Sequence, residues 1–358
     1  MFYRLSGQFK ASYDEDNRVF GERLDRRIFI VTMLVAAIGV PLFASHYLLS
    51  AVLIPFLIFS LAALGLNILT GFAGQVSFGS AAFMAIGAFA SFNLLLRIPE
   101  IPSLVAFVLG GLCASAIGVI FGLPSLRIRG FYLAASTLAT QFFIVWCLSK
   151  IGWFTNYAAS GVITVQRVAP LGFPLDNHVS KYLFVLAVVT TLAAAAKNLI
   201  RSHIGRSWMA IRDMDVAAEV IGVSPLHAKL TAFAVSAFYC GIAGALYSYA
   251  YVSTVEPDGF NLDLSFKILF MIIIGGLGSI LGSFIGAAFI VLLPIGLSIA
   301  FSSMEHLSGL SAPSGMTSNV ELIIFGVIII VFLAVEPHGL ARLWQRAKEK
   351  LQIWPLSH

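Results

Sequence analysis

The run LGLNILTGFAGQVSFGS, residues 64–80, concentrates polar side chains inside an otherwise apolar neighbourhood. Asn67, Thr70, Gln75, Ser77 and Ser80 supply amide and hydroxyl groups, while Gly65, Gly71, Gly74 and Gly79 let backbone open beside them. Unpaired amides are costly in an apolar medium, so Asn67 and Gln75 must face protein or a wet cavity. Uncharged groups of this kind hold a small polar molecule by hydrogen bonds where a helix is broken, or they bond one helix to another. Both readings stand for Asn67, Gln75, Ser77 and Ser80. Thr137 and Gln141, four residues apart, fit structural bonding better than a solute pathway.

Several other chemistries lack their residues. The HExxH zinc pattern is absent and the seven histidines are scattered. Cys113, Cys147 and Cys240 lie in separate apolar runs without paired or metal-like spacing, as small buried hydrophobes do. No nucleophile, base or metal set converges, so the chain reads as no enzyme and binds no cofactor of its own. The glycine-rich run GGLGSILGSFIGAA, residues 275–288, lacks the lysine of a phosphate loop. Its Gly278, Gly282 and Gly286 recur every four residues and predict a smooth helix face for close packing. Gly71, Gly74 and Gly79 faintly echo the spacing of Gly275, Gly278 and Gly282.

These residues have to be positioned inside a membrane. The 358 residues are 59% hydrophobic and 11% charged, with a mean hydropathy of +0.93, far outside the range of soluble domains. The pattern predicts an all-α polytopic bundle of about ten transmembrane helices (8–10). The expected spans are 28–44, 48–70, 76–96, 103–123, 131–150, 182–198, 230–253, 264–282, 284–303 and 320–336. A broken segment is possible at 71–80. Residues 1–27 and 337–358 are expected as cytoplasmic tails flanking a permease domain at 28–336. That orientation puts most of the 22 lysines and arginines inside, which explains the net charge of +5 without nucleic acid. The spans lack carboxylate or histidine relays, which disfavours an ion-coupled carrier. Lys267 is expected about one turn into its span, where it can snorkel to the interface.

Residues 205–225, GRSWMAIRDMDVAAEVIGVSP, break the pattern. Trp208, Ile211, Met214, Ala218 and Ile221 recur at helical spacing, and Arg212, Asp215 and Glu219 share an adjacent edge. Gly222 ends the helix and Pro225 prevents its continuation. A lipid-surface helix favours lysine and arginine on its polar face. This one carries Asp213, Asp215 and Glu219 beside apolar residues, which suits a protein partner better.

Four segments in order carry a resemblance: residues 64–91, LRIRGFYLAASTLA at 126–139, 215–247 and 271–294. Together they resemble the branched-chain amino acid permease family of ABC transporters, LivM type. The resemblance implies a permease subunit in a bacterial inner membrane, both termini cytoplasmic. Its implied partners are a second homologous permease, two ATPase subunits carrying ATP and Mg, a periplasmic solute-binding protein and membrane lipid. Arg212, Asp215, Ala217, Ala218, Glu219 and Gly222 then fall in the ATPase-coupling segment. Glu219 is placed to pair with Arg212 or with a basic residue of the ATPase. The implied solute is a branched-chain amino acid or a related urea, amide or organic acid. A passive channel or facilitator without an ATPase is the alternative. One departure is TNYAASG at 155–161, where family members commonly show Thr-Gly-Gly.

Overall fold

The computed structural model describes residues 23–98, 100–125, 131–158, 160–164, 177–308 and 339–353, with scattered positions between 320 and 331. The N-terminal segment 1–22 and most of the expected span 320–336 lie outside the described residues.

Helix α1 starts as Arg23–Leu34 and continues through a π turn, Val35–Gly39, and a last α turn, Val40–Phe43. Then follow α2 (Leu48–Phe72), α3 (Ser80–Arg97), α4 (Ser103–Ser125), α5 (Phe131–Lys150), α6 (His178–Arg201), α7 (His203–Val220) and α8 (Pro225–Val252). A 3-10 turn, Pro257–Phe260, leads into α9 (Leu262–Gly275), α10 (Ile280–Ser308) and α11 (Leu340–Ile353). Among the described residues the only extended pairing is an isolated bridge between Ile163 and Val255.

Among the described residues seven helices, namely α2 to α6, α8 and α10, are long and apolar enough to cross a membrane. The described residues thus form a helical bundle, and the chain is a multi-pass membrane protein. The apolar part of α1, Arg27–Phe43, is shorter, and α9 has only 14 residues, about 21 Å at about 1.5 Å per residue. The expected span 264–282 therefore divides. Its helix stops at Gly275, and residues 276–279 form a turn in which Gly276 and Gly278 have φ of 118° and 72°. A span-length hydropathy window does not see this turn, because the flanking isoleucines and leucines outweigh two glycines and a serine.

Helix α2 is the axis of the bundle. Every residue from Ile54 to Asn67 except Phe56 and Phe59 is buried, as expected of a helix apolar on all sides. Helix α8 packs along it and against α3 and α4. These contacts are close because small residues meet: a Cβ on Gly87 would strike the backbone of Gly241, and one on Gly244 would strike the Met84 carbonyl. Of the three cysteines only Cys240 is buried. Cys113 sits on the exposed side of α4, where an apolar thiol is compatible with lipid.

Two glycine substitutions separate packing from mere hydrophobicity. Gly244→Val is expected to cost about 3 kcal/mol or more, the upper end for overpacking, because a carbonyl cannot move aside as a side chain can. Gly296→Val, where no atom lies within 4 Å, should change stability by less than about 0.5 kcal/mol. Heat-unfolding midpoints in detergent measure both.

Candidate functional site

The helical ladder is interrupted at residues 73–79, between α2 and α3, and again at 276–279, between α9 and α10. Backbone groups released inside a membrane must find partners within the protein. Asn67, fully buried on α2, serves the second break. Its side-chain N–H donates to the Ser279 carbonyl at 2.8 Å and to Ser283 Oγ at 2.9 Å, while its Oδ1 accepts from the Gly278 N–H at 2.9 Å. The first break is closed locally. The Gln75 N–H donates to the Leu69 carbonyl at 3.0 Å, and Thr70 Oγ1 donates to the Gln75 carbonyl at 3.1 Å.

Helix α3 has no side-chain cap of its own. Other helices cap it instead. The Ala81 N–H donates to Ser265 Oγ of α9 at 3.0 Å, and the Ala82 N–H donates to Gln141 Oε1 of α5 at 2.6 Å. Gln141 Nε2 donates onward to the Phe260 carbonyl at 2.8 Å, and Ser265 Oγ donates to Gln141 Oε1 at 3.2 Å. Just upstream, Thr137 Oγ1 accepts from the Phe78 N–H at 3.0 Å, and Ser77 Oγ accepts from the Gly79 N–H at 3.3 Å.

The polar residues singled out in the sequence thus fall into two groups. Asn67, Ser77, Thr137 and Gln141 hold backbone in place. Gln75 and Ser80 do not: both amide atoms of Gln75 and the Ser80 hydroxyl are buried with no partner among the described residues. These two side chains retain hydrogen-bonding capacity for something further. Ser265 and Phe260 were not anticipated, since a lone serine and a backbone carbonyl in an apolar run carry no sequence signal.

The connector α7 begins where Ser202 Oγ accepts from the Ile204 N–H at 3.2 Å, and Trp208, Ile211 and Ala218 fasten it to the bundle. Trp208 Nε1 donates to Thr231 Oγ1 on α8 at 3.0 Å. At Met214 the backbone leaves the helix, with φ −158° and ψ 96°. The expected apolar stripe breaks there. Met214 and Ile221 are 69% and 76% exposed, beside exposed Val216 and Val220, while Ala218 alone of the stripe beyond the kink stays buried. Ala217 and Glu219 are also exposed and Asp215 is half-buried. Gly222, at φ 91°, closes the helix through bonds from its own N–H to the Glu219 carbonyl and from the Val223 N–H to the Ala218 carbonyl.

Arg212 points the other way. It pairs with Asp213 at 2.8 Å rather than with Glu219 or Asp215, and its Nη1 donates to the Gly71 carbonyl at 2.9 Å. A Cβ on Gly74 would lie 2.8 Å from Arg212 Cγ, and one on Gly278 would lie 3.3 Å from Nη1. Both glycines have positive φ, +70° and +72°, so neither position readily accepts another residue. The guanidinium therefore occupies a socket made by the two helix breaks. Gly278 belongs to this socket rather than to the face of α10. Gly282 and Gly286 do lie on that face, where a Cβ would meet the backbone of Gly275 and of Met271.

A family model described as "Branched-chain amino acid transport system / permease component" matches residues 48–333, spanning every helix from α2 to α10. The chain belongs to that family. This permease is 29% identical over 282 residues to the high-affinity branched-chain amino acid transport system permease protein LivM of Escherichia coli (strain K12), covering 72% of its own length and 65% of that relative. The LivM protein of Salmonella typhimurium is 28% identical, with 76% and 68% covered. A probable branched-chain amino acid transport permease protein LivM of Methanocaldococcus jannaschii is 23% identical, with 82% and 93% covered. No solved structure matches this permease.

The division between engaged and orphaned amides is testable. Gln141→Leu strips partners from the Ala82 N–H and the Phe260 carbonyl and should destabilise by about 1–3 kcal/mol for each group orphaned. Gln75→Leu removes only unpaired atoms and is expected to be neutral or stabilising. Melting midpoints of the purified permease without solute distinguish them.

Proposed function

We propose that this permease is one membrane subunit of an ATP-driven importer in a bacterial inner membrane. It works with a second homologous permease, two ATPase subunits that carry ATP and Mg, and a periplasmic solute-binding protein. The solute is a branched-chain amino acid or a similarly small polar molecule. The end of the bundle bearing α7 and both termini face the cytoplasm, and α7 docks on an ATPase.

The observation that carries this reading is the two-sided character of α7. One side is anchored by Trp208 and Arg212, while the portion beyond Met214 offers exposed apolar residues mixed with Glu219, an acid without an ion-pair partner among the described residues. Mixed apolar and acidic surface suits a protein groove carrying basic residues. Family membership and the kinship to proteins named for branched-chain amino acid transport support the same assignment. Movement of the docked segment would pass through Arg212 to Gly71 and the 276–279 turn, rocking α2 and α10 between two arrangements. Gln75 and Ser80, with unused polar atoms, are the residues best placed in the solute pathway.

Copurification from native membranes tests the assignment. Wild type is expected to retain an ATPase and a second permease, and Glu219→Arg should reduce ATPase recovery about tenfold or more. Arg212→Gln should keep the ATPase bound and hydrolysing while uptake falls about tenfold, raising the ATP spent per solute moved. A chain that purifies alone and conducts solute in liposomes without ATP would instead be a channel or facilitator.

A further inference from the structure

The sequence places Lys267 near the end of a span, but the structure places it near the middle of the bundle. Two contacts fix its depth. The Phe260 carbonyl and Ser265 Oγ both bond Gln141, which lies about 14 Å from either end of α5 at about 1.5 Å per residue. Lys267 follows Ser265 by two residues, about 3 Å further along α9. It cannot reach an interface in the way a lysine at a helix end does.

Its direction is fixed as well. Leu264, Ser265, Ile268, Leu269, Met271 and Ile272 bury the other side of α9. Lys267 is exposed, as is Asp263 one turn earlier on the same edge, and neither has an ion-pair or hydrogen-bond partner among the described residues. A lone ammonium at the centre of a bilayer costs about 2.5–3.5 kcal/mol even on the mildest scale, so this edge faces water or a polar ligand and not lipid.

Aromatic residues flank Lys267 on α9, Phe266 beside it in sequence and Phe270 three residues on. The rings of Phe266 and Phe270 stack with centroids 6.1 Å apart, and Phe78, from the first helix break, meets Phe266 edge-on at 5.7 Å. Helical spacing puts Asp263, Lys267 and Phe270 along one edge of α9. Lysine is a point donor for a carboxylate, aspartate accepts from an ammonium, and the rings bury an apolar body.

We propose that Lys267 and Asp263 are the two polar poles of a solute site on the outward edge of α9, taking a small zwitterionic carboxylate with an apolar side chain. Lys267 holds the carboxylate, Asp263 the ammonium, and Phe78, Phe266 and Phe270 the apolar body. This deepens the importer reading and rests on it, since it puts the solute between this permease and its partner permease.

The test is equilibrium binding of radiolabelled L-leucine to the purified membrane complex with the solute-binding protein omitted. Leucinamide, which lacks the carboxylate, and 4-methylpentanoate, which lacks the ammonium, serve as competitors. Lys267→Gln is expected to weaken leucine binding about tenfold and abolish competition by 4-methylpentanoate while sparing leucinamide, and Lys267→Arg should restore both. Asp263→Asn should give the mirror image. The melting midpoint and recovery of the second permease should stay at the wild-type level in each variant. Equal binding by wild type and Lys267→Gln, no saturable binding by wild type, or loss of the second permease in Lys267→Gln overturns the site. Failure of the importer reading shows separately, as absence of the ATPase from the wild-type complex.

Discussion

A backbone amide that leaves the helical ladder in a buried place has no water to turn to, and this constraint organises the packing around the helix breaks. The permease breaks the ladder at residues 73–79 and 276–279 and assigns uncharged side chains to the consequences. Asn67 holds the turn before α10, and Ser265 and Gln141 finish the first turn of α3. Amides and hydroxyls suit this work because each can donate and accept without the desolvation cost of a charge. Most polar residues at the breaks therefore bond backbone, and Gln75 and Ser80 stand out because their buried side-chain polar atoms have no partner among the described residues.

Both breaks lie against the connector α7, and one residue touches both. Arg212 bonds the Gly71 carbonyl and lies against Gly74 and Gly278, while Asn67 ties Gly278 back to α2. A displacement of the connector thus reaches α2 and the α9–α10 turn together. The faint glycine echo acquires a meaning here: Gly74 and Gly278, which correspond in spacing, adopt φ of 70° and 72° and flank the same guanidinium. Transporters built from repeats place broken helices in this manner.

The bundle was legible in composition and span length, and the first break in the density of glycine and polar residues around Gly71. The second break was not. Gly276 and Gly278 sit between strongly apolar flanks that keep a span-length average high, and packing and turning make the same demand for small residues. The connector helix was visible in its spacing, but the kink at Met214 was not, because its backbone angles belong to no local motif. Depth was the least legible property. Lys267 counts as six residues into α9, yet α9 starts at mid-bundle only because Phe260 and Ser265 bond Gln141, which is more than a hundred residues away.

Capping α3 from elsewhere also has a bearing on how the chain is made. A helix that carries its own cap is complete once it enters the bilayer, but the first turn of α3 depends on Gln141, 59 residues downstream, and on Ser265, 184 residues downstream. During synthesis, α3 is exposed to lipid or to the insertion machinery with open N–H groups until α5 and then α9 arrive. Its next neighbour in the chain, α4, packs closely on it through Gly110 in the meantime. The middle of this permease is therefore finished late in its synthesis, when α9 completes the first turn of α3.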